Sequence, residues 1–263
     1  MGEPAEFRLD LAEAFPHLPA APVVEAVIHW TAKLNKPLVP EAFRRQLEQR
    51  LGGDYPKILV QKELRMFAQV DAEGTSTQQR SGWRGFRLES ADGRYIAQFN
   101  NDGLVFSRLA PYETWERFSA EGRRLWNVFC ELGAISEVQR LGVRYINRFP
   151  LSRPSDAARF LQRPPQCLEH LGLPSSGFLF VSKHDVPHQP FQIEVTQTVQ
   201  PPTPPATDGF GLILDIDVFT TRGFQCDGDE LDKFLATMRW LKNKAFFALI
   251  SDEAVELSTG QKV

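Results

Sequence analysis

The sequence predicts an α+β protein in which two tandem units build one large curved antiparallel sheet with helices on one face, a saddle-like duplication. Three observations predict it. Long apolar stripes at helical spacing close the two halves: Trp115, Phe118, Leu125, Phe129 and Leu132 in the first, and Leu231, Phe234, Leu235, Met238, Leu241, Ala245 and Leu249 in the second. Short β-branched runs separated by turn residues fill the chain between the helical stretches. The order strand, helix, antiparallel strands, long helix in residues 22–134 then returns in residues 135–250.

Residues 1–21 form a loose leader punctuated by prolines. PVVEAVIHW, residues 22–30, is rich in β-branched residues and too short for a helix, so it reads as the first strand. Pro40 opens a helix in which Phe43, Leu47 and Leu51 fall on one face, and Gly52-Gly53 ends it. Strands follow at 58–70, 83–89, 95–99 and 104–109. Asp92-Gly93 and Asp102-Gly103 supply the positive φ that tight hairpins need. The stretch DAEGTSTQQRSG, residues 71–82, has no periodicity and reads as an exposed loop. Pro111 opens the first long helix, and Gly133 lies at its end.

The second unit runs through a strand at 138–149, a short helix at 154–162 and a hairpin of 178–186 with 191–199. A Pro-rich loop, the strand GLILDIDVF and the helix 229–250 complete it. Residues 251–263 are left as a C-terminal tail. Local echoes support the repeat: Gly103-Leu-Val-Phe against Gly211-Leu-Ile-Leu, and Trp115-Glu-Arg-Phe118 against Leu231-Asp-Lys-Phe234. The layout resembles the saddle of TATA-box-binding proteins, an analogy of fold that carries no function.

With 263 residues, 42% of them hydrophobic and 24% charged, the chain is long enough and apolar enough to bury a core without disulfides. Its apolar runs are far shorter than the roughly 20 residues that span a bilayer, so no membrane partner is expected. An acidic N-terminus and three scattered cysteines, Cys130, Cys167 and Cys226, fit a cytoplasmic protein. A net charge of −3 advertises no nucleic acid, although arginines crowd the middle of the chain from Arg117 to Arg163.

Three segments carry a resemblance: Pro22-Val-Val-Glu-Ala26, Leu141-Gly-Val-Arg-Tyr-Ile-Asn-Arg148, and Leu214-Asp-Ile-Asp-Val-Phe219 followed by the helix that holds Trp240. Their order and spacing resemble a sporadically distributed family of prokaryotic proteins of about this length. That family has no assigned activity, cofactor or catalytic residue, so the resemblance implies one intact unit and no mechanism. Its patchy distribution is compatible with mobile or defence-associated genes.

The motifs of P-loop and dinucleotide-binding proteins, zinc proteases, CxxC redox proteins and serine esterases are missing, and no cofactor is expected. His184, Asp185 and His188, with His170 upstream, are zinc-type ligands, but Pro187 and Pro190 make them a hairpin tip. Polar residues recur at alternate positions inside otherwise apolar strands. Glu25 and His29 (with Val24, Ala26, Ile28 and Trp30 on the opposite, core face), Arg144 and Arg148, Glu194 with Gln192, and Asp215 with Asp217 would share the face not covered by helices. Glu25, His29, Arg144, Arg148, Glu194, Asp215 and Asp217 are therefore a candidate binding face. Trp240 and Phe247 fall outside the stripe of the last helix, beside Lys244, and form a candidate interface for a protein partner or a second copy. The expected function is a non-catalytic binding or interaction protein. One alternative is an enzyme using Glu25, His29, Glu194, Asp215 or Asp217 as acid–base groups or metal ligands. Another is a nucleic-acid binder acting through the arginines.

Overall fold

A computed structural model of the protein describes residues 6–71, 74–165, 168–173, 175–202, 209–226 and 229–260. Cys167, the side chain of His170 and most of the Pro-rich loop lie outside the described residues. In chain order the elements begin with β1 (Val23–Leu34), α1 (Pro40–Leu51), β2 (Lys57–Asp71), β3 (Gly74–Glu89), β4 (Tyr95–Asn100), β5 (Gly103–Leu109) and α2 (Trp115–Gly133). They continue with β6 (Ile135–Leu151), α3 (Ala157–Phe160), β7 (Leu179–Asp185), β8 (Gln192–Gln200), β9 (Phe210–Thr220), α4 (Asp229–Leu249) and α5 (Asp252–Ser258). The strands form one antiparallel sheet in the order β2-β3-β4-β5-β1-β6-β9-β8-β7.

The connectivity follows from where each long helix can bury its stripe. After β1 the chain crosses by α1 to the far edge at β2, then returns strand by strand until β5 lies beside β1. After β6, which pairs with β1, it crosses to the opposite edge at β7 and returns until β9 lies beside β6. Each return ends in a long helix, α2 or α4, laid back over the strands just formed.

Strand side chains alternate between faces, and the helices cover the apolar one. Ala26, Ile28 and Trp30 of β1, Val143, Tyr145 and Phe149 of β6, and Leu212, Leu214, Ile216 and Val218 of β9 are all buried there. Trp30 stacks on Trp126 of α2 with ring centroids 5.3 Å apart. Gly122 lets α2 approach this closely, because a Cβ there would lie 3.1–3.3 Å from Phe106, Ile28 and Trp30. Thr114 caps α2, accepting from the Arg117 backbone N–H, so the helix starts four residues after Pro111.

Four expectations need correction. Residues 74–82 are strand, with β3 paired to β2 as far as Gly74, because the main-chain ladder continues without apolar alternation. Val23, not Val24, faces the core, since the pairing of β1 with β6 shifts register between Val23 and Glu25. The stretch left as a tail contains α5, whose Ser251 cap accepts from the Ala254 backbone N–H and whose Ala254 is buried. The leader is not loose where it is described. Phe15 stacks on Phe247 at 5.6 Å, Phe7 meets Trp240 edge-on at 6.0 Å, and the Ala20 N–H donates to Ser258 O of α5. Among the described residues no helix is long and apolar enough to cross a membrane.

Candidate functional site

The candidate polar residues of β1, β6, β8 and β9 do emerge on the face opposite the helices. Register brings them into cross-strand rows: Glu25, Ile146 and Asp215 in one, and Val27, Arg144, Asp217 and Glu194 in the next. Arg144 donates from Nε to Asp215 Oδ1 at 2.8 Å and makes a second bond through Nη2, a forked ion pair. Lys183 of β7 pairs with Glu194 at 2.9 Å. Arg148 reaches only the Gly209 carbonyl, at 3.5 Å, and Glu25 has no ion-pair partner among the described residues.

The centre of this face is held by Arg140. Its Nη2 donates to Asp217 Oδ2 at 2.9 Å and its Nη1 lies 3.1 Å from His29 Nδ1, while the guanidinium covers the Phe219 ring at 4.8 Å. Gly142 is what allows this. It pairs with both His29 and Phe219, and a Cβ on it would lie 2.7 Å from Arg140 Nη1. A guanidinium only donates, which assigns the lone pair to Nδ1 and the proton to Nε2, 3.4 Å from Thr31 Oγ1. His29 is accordingly neutral: burial first, and then the Arg140 charge, lower its pKa to about 4. Burial pushes the Asp217 carboxyl up, and Arg140 and Arg144 oppose that shift only in part.

One consequence is measurable. Between pH 6.5 and about 4 the unfolded chain binds a proton at this position and the folded chain does not. The stabilisation tied to neutral His29 is complete above pH 6.5 and lost as pH falls through that window, by about 3 kcal/mol at most. His29→Gln, which can still accept from Arg140, should flatten the acid limb of stability measured by urea unfolding at pH 7.5, 5.5 and 4.5. Identical limbs in the two proteins would refute a buried neutral imidazole.

Chemically the open face is largely self-satisfied. His29 and Asp217 are both engaged by Arg140, which leaves neither poised as a free base. Among the described residues no three of His, Cys, Asp and Glu converge as metal ligands. The mid-chain arginines form no open cationic strip, because carboxylates pair with all of them except Arg148 and Arg163. Arg117 meets Glu113, Arg123 Asp232, Arg124 Glu121, Arg153 Asp156 and Arg159 Glu253.

The candidate interface lies elsewhere and is not open either. Trp240 is 4% exposed beneath Phe7 and Phe15, Phe247 is half-buried against Phe15, and Lys244 is exposed and paired with Glu13 at 2.6 Å. The leader thus supplies from within the chain the aromatic cover that a second protein was expected to bring.

Beneath that cover is a cavity of about 620 Å³, bounded by the leader, the segment entering α2, β6 and α4. Phe15, Trp115, Trp240, Phe246 and Phe247 give it apolar walls. Polar groups share the lining, among them His17, Asn147 and Asn243. The Tyr112 and Tyr145 hydroxyls are 2.6 Å apart, and Arg239 pairs with Glu116 at 2.9 Å at its border. The Lys242 ammonium lies 3.9 Å from the centroid of the Tyr145 ring, a cation–π contact. No carboxylate among the described residues lies within ion-pair distance of it. Burial, and secondarily the Arg239 charge, lower the Lys242 pKa to about 7. Burial likewise raises Tyr112 to about 12 and Tyr145 well above the ordinary phenol value, so both hydroxyls are protonated at neutral pH.

No protein-family model matches the chain, and none of the curated proteins is similar to it.

Sequence reasoning missed Arg140 and Gly142 as parts of the face. The available signal was a glycine inside a strand, which marks a close approach by another group. It also missed Lys242, whose signal was a lysine among apolar residues of the last helix.

Proposed function

We propose that the protein is a non-catalytic binding protein whose ligand is a small, largely apolar molecule held in the cavity under α4. The observation that carries this reading is a cavity within the size range of ligand sites, in which five phenylalanine and tryptophan side chains stand beside polar groups. The reading retains the last helix as the binding element and turns its binding side inward, towards the leader. Trp115 and Trp240 line the cavity and report on it. Titrating a panel of aryl and short aliphatic acids and aldehydes should quench their fluorescence saturably for the compounds that fit. Ala236→Phe, at an exposed position of the lining, should abolish the quench and leave the melting temperature unchanged. A panel without saturable quenching, or equal binding by the occluded variant, would remove the reading.

The internal duplication belongs to the same proposal. It is supported by the matching routes of the two halves from the sheet centre to an edge and back, and it requires β1, β5 and α2 to superpose on β6, β9 and α4. Membership of the sporadic prokaryotic family and residence in the cytoplasm rest on the sequence features alone.

A further inference from the structure

We propose that Lys242 captures a carbonyl compound, an apolar aldehyde or ketone, as a reversible imine inside this cavity. The inference rests on the binding role of the cavity and names the chemistry of its ligand. An amine reacts with a carbonyl only as the free base, and most lysines hold their proton too tightly at neutral pH. Burial and the Arg239 charge favour the free base of Lys242, and only the Tyr145 ring face favours its proton. Its own helix contributes the Arg239 cation, β6 contributes the neutral Tyr145, and the segment entering α2 contributes Tyr112, which is neutral too. The carboxylates bordering the cavity are committed elsewhere: Glu116 to Arg239, Glu113 to Arg108 and Arg117, and Glu13 to Lys244. His17 of the leader is the remaining titratable group of the lining. Protonated Lys242 therefore has an aromatic face and no counter-ion.

The tyrosine pair complements the amine. One hydroxyl donates to the other, and the accepting tyrosine keeps its own O–H to offer a third group. That third group is the ligand oxygen. In the reaction the Nζ lone pair attacks the carbonyl carbon, one N–H proton passes to the carbonyl oxygen, and a carbinolamine forms. The hydroxyl then leaves as water with the second N–H proton as the C=N bond closes. No oxidant or reductant takes part, and hydrolysis reverses the sequence. Aromatic walls suit the apolar body of such a ligand.

The test uses the full-length protein with benzaldehyde and sodium cyanoborohydride at pH 7, followed by peptide mapping by mass spectrometry. Hydride reduction converts any imine into a stable benzyl amine, and lysines such as Lys57 and Lys183 serve as references within the same molecule. Lys242 should be benzylated about tenfold faster than either reference, since its larger free-base fraction outweighs its lower nucleophilicity. The excess should disappear in Ala236→Phe. Mapping the wild-type protein needs no lysine variant, so the result does not depend on whether one folds. Labelling of Lys242 no faster than the references overturns the imine. If benzaldehyde still quenches Trp240 saturably in that case, the cavity remains a binding site and only the covalent step is lost. If neither labelling nor quenching occurs, both readings fail.

Discussion

In urea titrations between pH 7 and pH 9, the unfolding free energy of the wild-type protein should rise by about 2 kcal/mol relative to Lys242→Met. The sign follows from proton counting. Unfolded, Lys242 holds its proton across the whole interval; folded, it has lost half of it at pH 7 and nearly all at pH 9. The unfolded state binds more protons, so stability increases with pH, and the increase belongs to Lys242 alone once the variant is subtracted. Methionine keeps the straight stem against the Tyr145 ring and removes the charge, so it changes packing little. Other groups titrating in the interval are present in both proteins and cancel. The comparison also bears on function, because the same lowered proton affinity supplies the free amine for imine formation. Parallel stability curves would mean that Lys242 keeps an ordinary proton affinity, and the imine would lose its chemical basis with it.

Most elements could be read from the sequence because burial imprints a period on them. Trp115 to Leu132 and Leu231 to Leu249 repeat at helical spacing since each helix has one side on the sheet. The alternation of Arg144 and Arg148 with Val143, Tyr145 and Phe149 likewise reflects one covered and one open face. Where the residue order does not alternate, the imprint is missing. Residues 74–82 pair with β2 through main-chain bonds, and nothing in their side-chain order announces it. The partners on the polar face were beyond reach for another reason. Arg144 meets Asp215 across 71 positions and Arg140 meets His29 across 111. Those meetings follow from β6 lying between β1 and β9, a fact of topology that alternation within one strand does not contain. The cavity was the least legible feature, because its walls come from four separate segments and one of them, the leader, has no period at all. Lys242 is legible only as one charge among apolar residues of the last helix, and its tyrosine neighbours exist only after folding.

The leader gives the second large effect. Trp240→Ala combined with Phe247→Ala should lower the unfolding free energy by about 3–5 kcal/mol, most of it from Trp240. Trp240 is buried between α4 and the leader, so its removal leaves a void that neither side can close without moving. Phe247 is half-buried and contributes less of the total. Lost stability alone would not show that the leader is the partner, and a double-mutant cycle supplies the discrimination. Phe15 stacks on Phe247 with the rings 7° from parallel, so Phe15→Ala and Phe247→Ala should be coupled by about 0.5–1.5 kcal/mol. Leu11→Ala, at an exposed position of the same leader, should show no coupling to Phe247→Ala. Opening this cover also exposes the cavity. The Phe15→Ala protein should therefore bind benzaldehyde more weakly and let Lys242 drift back towards the proton affinity of an ordinary lysine, both readable in the labelling experiment. Additive effects of Phe15→Ala and Phe247→Ala would separate the leader from the helix. The aromatic side of α4 would then be free for another protein, as the sequence alone first suggests.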